Sequence, residues 1–571
     1  MDVRRAHSAL QGDAAAVTEH LLAAWTLVKD SGAPSLLIAR RHLVALVLLR
    51  HLVDHFEQSQ RRGAAAALTS DLDAHAFWLP PQVRALLAAP PARDLGGALN
   101  QALLVLCQLH PRLRGVFADI DFRDPRALGQ EPQREATLQR LLRHLAALPL
   151  CEEDRPPQGP GVHAQALPTA SGALLDAIAV DVGHGGSPPA LRQLLVDLLA
   201  PRAGQRLCDP ACGVGGWLAA CAVRVARDLQ RPLGLGTDPL DLALYGQELN
   251  SGTAALCQAH LLLCGISDAR IARGDTLRAP RLLSRDAAVP RPGSARPELL
   301  RFDRVAAVPP PRLPGLCEVS VARDGHGRFC GDAVLASDNR GAAAALAIGC
   351  SGGWAMALHA LATLTPTGVA ALVLPLGALY RQGREQALRM ALLEQDLIDG
   401  VIAVPRGLLP QESGPAAVLL LRRERPAARR GRVLLARIDG DPQAGLAPQG
   451  AAQVVAAFHG YSGAGVHLVP VQELMSSGAN LSPDRHLPLA AALGSARDAA
   501  RGAAPFSEGV PLTAHAPAAL LREARRLEAE RDAVARELDR AAPRVTILLQ
   551  DGEPPEDALL GAPPARSSLD P

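Results

Sequence analysis

The stretch RLCDPACGVGGW occupies residues 206–217 and has the features of a turn that binds a ligand between a strand and a helix. The run Arg206–Cys208 predicts a short strand that ends at Asp209. Three glycines follow and let the backbone turn tightly and approach a ligand: Gly213, Gly215 and Gly216. A helix expected from about Trp217 then offers unpaired N–H groups to an anion. The full D-P-x-C-G-x-G-G pattern is far more specific than a lone G-x-G, so it indicates a binding site.

The sequence around this turn alternates between short β-like runs and apolar helical stretches from about residue 165. This alternation predicts a parallel, doubly wound, Rossmann-like α/β sheet. The expected strands are Arg206–Cys208, Leu242–Tyr245, Ala269–Ala272, Arg304–Val308, Val369–Leu374, Leu397–Val404, Ala416–Arg422 and Arg432–Ile438.

Changes in composition divide the chain into segments. Residues before 150 read as helices, and Leu36–Phe56 is apolar around most of its circumference, as expected of a central bundle helix. Proline, glycine and charge then mark the remaining boundaries. The predicted segments are an all-α N-terminal bundle (1–150), a linker (151–164), the α/β domain (165–425), a small C-terminal region (426–505), a charged helix (510–545) and a tail expected to be disordered (552–571).

Composition excludes several classes of protein. Of 571 residues 48% are hydrophobic and 20% charged, which is typical of a packed globular protein. The net charge of +2 gives no global basic field, so contact with nucleic acid would need a local patch or a partner. The ten cysteines form no C-x-x-C pair and no zinc spacing, so we expect reduced thiols, no metal and a cytoplasmic protein. The apolar run 43–49 is too short to span a membrane, and no G-x-x-x-x-G-K-[ST] motif is present.

The motif and its surroundings resemble the modification subunit of type I restriction–modification systems, an adenine-specific DNA methylase. The likeness extends over roughly residues 20–490, with the LP-x-G turn at Leu374–Gly377 and the NLSPDRH stretch at Asn480–His486 among its further matches. It implies an S-adenosylmethionine-dependent methyltransferase domain that follows a helical domain. It also implies DNA, a specificity subunit and possibly a restriction subunit as partners.

The resemblance implies a cofactor pocket with three carboxylates. Asp209 would face the ammonium of S-adenosylmethionine, Glu248 would hold the ribose hydroxyls at the end of the second strand, and Asp275 would accept from the adenine amine at the end of the third strand. Asp238 is an alternative for the ribose. The remaining residues expected to form the pocket are Pro210, Cys212, Gly213, Gly215 and Gly216.

The sequence departs from the family at the catalytic motif. The family has Asn-Pro-Pro followed by an aromatic residue, whereas this chain has Val308, Pro309, Pro310 and Pro311. In the family, the Asn oxygen and the first proline's carbonyl accept from the target amine, and the aromatic ring stacks on the flipped base. A second departure lies upstream, where 183–188 reads GHGGSP without the family's aromatic residues.

These observations favour three functions in descending order. The first is an N6-adenine DNA methyltransferase subunit with weakened activity. The second is an inactive scaffold of the same fold that still binds cofactor or DNA. The third is a methyltransferase that acts on another substrate.

Overall fold

The fold was analysed in a computed structural model. It describes residues 3–487 except for 62–78, 92, 118, 148–161, 184–185, 232, 234, 236–239, 285–297, 311–312, 316–320, 322, 330–346, 410–413, 442–444 and 461–465. The charged helix predicted at 510–545 and the tail predicted at 552–571 lie outside the described residues, as does most of the linker predicted at 151–164. No described helix is long and apolar enough to cross a membrane.

Eight α-helices lie in the described part of residues 3–181. They are α1 (Val3–Asp30), α2 (Leu36–Arg61), α3 (Pro81–Ala88), α4 (Leu95–Leu109), α5 (Arg114–Phe117), α6 (Pro125–Leu128), α7 (Gln133–Ala146) and α8 (Val162–Asp181). Prolines stand at the first positions of α3 and α6, where a missing N–H costs nothing. Helix α2 is buried along most of its length, as its apolar circumference predicts.

Helix α8 packs with the N-terminal helices even though it follows the predicted linker. Asp181 on α8 accepts from Trp25 Nε1 at 2.6 Å and pairs with Lys29 at 2.9 Å. Apolar residues of α8, such as Leu174, share one core with α1 and α2. This tertiary arrangement is not visible in composition, which shows only where the polar linker lies.

Nine strands form the main sheet. They are β1 (Arg206–Asp209), β2 (Ala243–Glu248), β3 (Arg270–Arg273), β4 (Phe302–Ala307), β5 (Leu364–Pro375), β6 (Ile398–Val404), β7 (Ala416–Arg422), β8 (Arg432–Arg437) and β11 (Val466–Pro470). Their order is β11-β8-β6-β7-β5-β4-β1-β2-β3. A small hairpin adds β9 (Gly440–Asp441) and β10 (Gly445–Leu446). The eight strands expected from the sequence are all present.

The α/β class is confirmed, but the sheet is not wholly parallel. Strand β7 runs antiparallel to both β5 and β6, and β11 runs antiparallel to β8. Alternation of strands and helices cannot reveal the direction of a strand, because a long connection permits either one. Strands β8 and β11 also show that the same sheet continues beyond residue 425.

Helices cover both faces of the sheet. They are α9 (Pro189–Leu199), α10 (Gly216–Asp228), α11 (Ser251–Leu263), α12 (Gly352–Thr363), α13 (Arg384–Glu394), α14 (Pro448–Phe458), α15 (Val471–Ser476) and α16 (Pro483–His486). Alternate strand residues belong to two cores: Leu207 packs with α9 and α10, whereas its neighbour Cys208 packs with α12 and α13. Helix α11 also contributes to the core of the N-terminal helices.

Candidate functional site

The strand order reverses between β1 and β4. Strands β2 and β3 extend the sheet on one side of β1, while β4 and β5 extend it on the other. In open α/β sheets, ligands bind outside the carboxyl ends of the strands at such a switch point. A cleft of about 90 Å³ lies here, and its walls include Ser187, Asp209, Gly213 and Val308.

The turn that follows β1 adopts the tight conformation that its glycines permit. Gly213 and Gly215 have positive φ angles of 54° and 76°, which other residues adopt only with strain. A Cβ atom on Gly215 would lie 2.7 Å from Cys257 Sγ, so no side chain fits there. The amide of Gly215 donates to the Cys212 carbonyl at 2.8 Å, and α10 begins at Gly216.

Glu248, the last residue of β2, is hydrogen-bonded to this turn. Its Oε2 accepts from the Gly213 amide at 3.1 Å, and its Oε1 accepts from the Asn250 amide at 2.8 Å. Each oxygen keeps a lone pair for a further donor. The structure therefore brings Glu248 and the glycine turn together, as the sequence predicted.

Asp209 is a buried carboxylate at the carboxyl end of β1, with 7% of its surface exposed. Its Oδ1 accepts from the Ala211 amide at 2.9 Å. Burial, together with the nearby charge of Glu248, raises the pKa of Asp209 to about 7 in spite of the hydrogen bond from the Ala211 amide, which lowers it. A cation bound here would compensate both carboxylates.

Asp275 lies two residues beyond the end of β3 rather than in the strand. Gly274, with a φ of 136°, separates it from the strand. Asp275 Oδ1 accepts from the amides of Leu277 and Arg278 at 2.9 and 3.1 Å, and Oδ2 lies 3.6 Å from Arg278 Nη1. The carboxylate thus caps its own turn and keeps Oδ2 available for a ligand.

Two residues that the sequence analysis missed join the loops of the site. Buried Gln247 donates to the carbonyls of Gly274 and Ala279 at 3.2 and 3.0 Å, and its Oε1 accepts from the Arg281 amide at 2.9 Å. Thr276 Oγ1 donates to the Pro210 carbonyl at 2.6 Å. The sequence does contain a signal for Gln247, which is a polar residue in the otherwise mostly apolar strand region 242–248. Buried polar groups are generally hydrogen-bonded, so such a glutamine is expected to connect parts of the backbone.

Arg192 on α9 supports the upstream side of the cleft. It makes a two-point pair with Asp176 at 2.8 and 2.6 Å and donates to the Ser187 carbonyl at 2.5 Å. A Cβ atom on Gly216 would lie 2.9 Å from Arg192 Cδ, so the absence of a side chain at Gly216 permits this approach. Of the aromatic-poor segment upstream, His184 and Gly185 lie outside the described residues.

The segment after β4 places its first residue in the cleft. Val308 lines the cleft, Pro309 is buried and Pro310 is exposed. Pro311 and Asp238, the alternative ribose ligand, lie outside the part of the chain that the structure describes. Within that part, no group of three or more His, Cys, Asp or Glu side chains is arranged to hold a metal ion.

Comparison with known proteins agrees with this geometry. Residues 179–443 match the family described as N-6 DNA Methylase. The chain is 28% identical over 254 residues to the type I restriction enzyme MjaVIII methylase subunit of Methanocaldococcus jannaschii, covering 44% of this chain and 39% of that protein. It is 30% identical over 261 residues to the MpnII methylase subunit of Mycoplasma pneumoniae, covering 44% and 43%. The matches thus span about two-fifths of the length of these curated relatives.

Solved structures share the fold over a longer range. The methyltransferase subunit of a type I restriction–modification system from Streptococcus thermophilus superposes with a TM-score of 0.64 at 20% identity, covering 83% of this chain and 99% of that one. A modification subunit of a putative type I restriction enzyme from Vibrio vulnificus gives a TM-score of 0.55 at 15% identity, covering 82% and 96%. Residues 179–443, a little under half of the chain, are therefore similar to the N-6 DNA Methylase family, and the curated relatives that this chain resembles are methylase subunits of type I restriction enzymes.

Proposed function

We propose that this chain binds S-adenosylmethionine and acts as the N6-adenine DNA methyltransferase subunit of a restriction–modification system, with activity weakened by its Val308-Pro309-Pro310-Pro311 motif. The observation that carries the proposal is the meeting of Asp209, Glu248 and the Gly213–Gly216 turn at the switch point of the sheet.

The residues present fit this cofactor chemically. A buried carboxylate with a pKa of about 7 is costly unless a cation compensates it, and the cofactor carries an ammonium. Glu248 has two oxygens able to accept from vicinal ribose hydroxyls, and Asp275 Oδ2 can accept from the adenine amine. Gly213 and Gly215 adopt positive φ angles and carry no side chains, so the backbone of this turn can approach a ligand closely.

Each of these residues would perform a binding step. Asp209 would hold the ammonium, Glu248 the ribose, Asp275 the adenine amine, and the first amides of α10 the carboxylate. When bound, the cofactor supplies an electrophilic methyl group. The end of β4 would receive the target base, because Val308 lines the same cleft as Asp209.

The weakness of the proposed enzyme lies at Val308. A valine side chain cannot accept a hydrogen bond from the adenine amine, so only the Pro309 carbonyl is left to raise its nucleophilicity. Loss of one preorganised polar contact costs about 10²–10³ in rate in acyl-transfer enzymes. This residue also supports the alternative, an inactive scaffold that binds cofactor or DNA without methyl transfer.

A single experiment separates the two functions. Purified protein is incubated with methyl-labelled cofactor and mixed-sequence DNA, with and without a specificity subunit, while calorimetry measures cofactor binding. Slow incorporation of label at adenine N6 supports the enzyme. Binding without incorporation supports the scaffold, and absence of binding at millimolar cofactor rejects both assignments of the pocket.

A further inference from the structure

A buried arginine lies behind the candidate pocket. The side chain of Arg328 is 1% exposed, and its Nε pairs with Asp324 at 3.0 Å. Its Nη1 donates to the Thr276 carbonyl at 2.8 Å, and its Nη2 donates to the Leu277 carbonyl at 2.6 Å. One planar guanidinium thus binds two consecutive carbonyls of the turn that follows β3 as well as Asp324, and the compact ammonium of a lysine would not reproduce this whole set of contacts.

His359 on α12 completes the environment of Arg328. The two side chains lie 3.1 Å apart, between Arg328 Nη1 and His359 Nδ1. Burial, together with the positive charge of Arg328, holds the pKa of His359 well below its usual value, so the imidazole is neutral and Nδ1 accepts. The charge of Arg328 is therefore balanced by Asp324, and its donors are directed at fixed acceptors.

This arrangement connects two loops of the candidate pocket. Thr276 and Leu277 directly follow Asp275, so their carbonyls determine where the Asp275 carboxylate lies. Thr276 Oγ1 also donates to the Pro210 carbonyl in the turn after β1. Movement of the Thr276 backbone would consequently displace both turns.

We propose that Arg328 is a positioning residue that holds Asp275 in place for recognition of the adenine amine of the cofactor. The inference rests on the proposed function, because it takes Asp275 as the adenine ligand. The proposal gives a residue of the segment after β4 a part in forming the cofactor pocket, because Arg328 lies 20 residues beyond Val308. Arg328 would act through the Thr276–Leu277 backbone rather than by contact with the ligand.

The test measures adenine selectivity by calorimetry. The full-length protein, Arg328→Met and Asp275→Ala are titrated with S-adenosylhomocysteine and with its inosine analogue, in which oxygen replaces the 6-amino group. Wild type should prefer the adenine ligand. Arg328→Met should weaken its binding about tenfold or more, on the scale of outer-shell substitutions at metal sites, and should bind the inosine analogue with nearly unchanged affinity. A double variant that combines Arg328→Met with Asp275→Ala should bind S-adenosylhomocysteine no more weakly than Asp275→Ala alone.

Arg389 provides a matched control. It is fully buried and donates to the carbonyls of Ala479, Ala378 and Arg381 at 2.8, 2.9 and 2.7 Å, with no link to the pocket loops. Arg389→Met should lose a similar amount of stability and keep wild-type selectivity. If Arg328→Met does not fold, Arg328→Lys is used instead, because the three donors of one ammonium cannot replace all four contacts of the guanidinium, and this variant should lower selectivity while retaining the charge.

Three results would overturn the inference. Wild-type selectivity in a folded Arg328 variant would show that Asp275 needs no such support. Equal loss in the Arg389 variant would indicate general destabilisation. Absence of any ligand binding by wild type would instead reject the proposed function itself, and the inference with it.

Discussion

The amide of Gly213 donates to Glu248 Oε2 across 3.1 Å and so joins the turns after β1 and β2, whose residues are 35 positions apart in the sequence. Because β1 and β2 are parallel neighbours, their carboxyl ends meet at one edge of the sheet. Glu248, whose carboxylate is expected to hold the ribose, thus also holds the glycine turn in place. Substitution of either Glu248 or Gly213 should therefore weaken binding of the same ligand.

Binding of S-adenosylhomocysteine should depend on the protonation of Asp209. Only the ionised carboxylate attracts the ligand's ammonium, and the pKa of Asp209 in the free protein is about 7. Affinity should therefore rise by up to about tenfold per pH unit from pH 5.5 and level off near pH 7. Titration calorimetry at a series of pH values measures this affinity. Asp209→Asn should bind weakly at every pH, whereas Glu248→Gln should retain a pH dependence with a lower midpoint. A flat profile for wild type would contradict the assignment.

The stability of the unliganded protein should fall as the pH rises, whereas its affinity for the ligand increases. The folded-state pKa of Asp209, about 7, lies above the ordinary value of 3.8 for an aspartate, so the folded state binds the extra proton between about pH 4 and pH 7. The stabilising contribution of the protonated carboxyl is complete below pH 4 and is lost as the pH rises through 7. Asp209→Asn should therefore melt at a higher temperature than wild type at pH 8, with a smaller difference at pH 5. An equal difference at both pH values would argue against the raised pKa.

The two central glycines should differ in their tolerance of alanine. A Cβ on Gly213 meets nothing within 4 Å, so Gly213→Ala should cost only backbone strain of about 1–2 kcal/mol. A Cβ on Gly215 would collide with Cys257 Sγ at 2.7 Å in addition to the strain. Gly215→Ala should therefore lose more stability in urea unfolding, and adding Cys257→Ala should recover part of the loss. Equal costs without recovery would reject the steric explanation.

Restoring the family's catalytic residues should raise methyl transfer. Val308 lines the candidate cleft and is similar in size to asparagine, so Val308→Asn should fit while supplying an acceptor. Combined with Pro311→Tyr, it should increase incorporation of labelled methyl groups into DNA by about tenfold or more. The matched control is Val308→Leu with Pro311→Tyr, which adds no acceptor. Robust methylation by wild type would show that another residue replaces the asparagine, and no gain despite ligand and DNA binding would favour the scaffold.

Asp399 should be essential for stability and irrelevant to the ligand. Its side chain is fully buried in β6 and pairs with Arg422, Arg425 and Arg429 at 3.0, 3.2 and 3.2 Å. Asp399→Asn removes the shared carboxylate of these three arginines, of which Arg425 keeps its pair with Asp396, and should cost about 3–5 kcal/mol, measured by urea unfolding. Asp439→Asn, at a half-exposed pair with Arg437, is the control and should cost under about 1 kcal/mol. A small loss at Asp399 would show that the arginines find other partners.

The C-terminal segment should bind a partner rather than the cofactor. The sequence predicts a charged helix at 510–545, and the family resemblance implies a specificity subunit. Removal of residues 511–571 should leave ligand affinity unchanged and weaken co-elution with that subunit on size-exclusion chromatography. An unchanged complex would assign the interaction to another part of the chain.

The sequence by itself determined the positions of the eight expected strands and the tight conformation of the turn after β1. Both depend on local chemistry: apolar runs form strands, and Gly213 and Gly215 can adopt positive φ angles at little cost. The association of Asp209 with Glu248 could also be predicted, since parallel strands end at one edge.

Only the tertiary structure decided what depends on contacts distant in sequence. The antiparallel direction of β7, the packing of α8 with the N-terminal helices and the displacement of Asp275 beyond β3 leave no periodic signal. The roles of Gln247 and Arg328 were hidden for the same reason, because a buried polar side chain is recognised by the acceptors it meets in space. Composition shows that such a residue exists, and the fold alone supplies its partners.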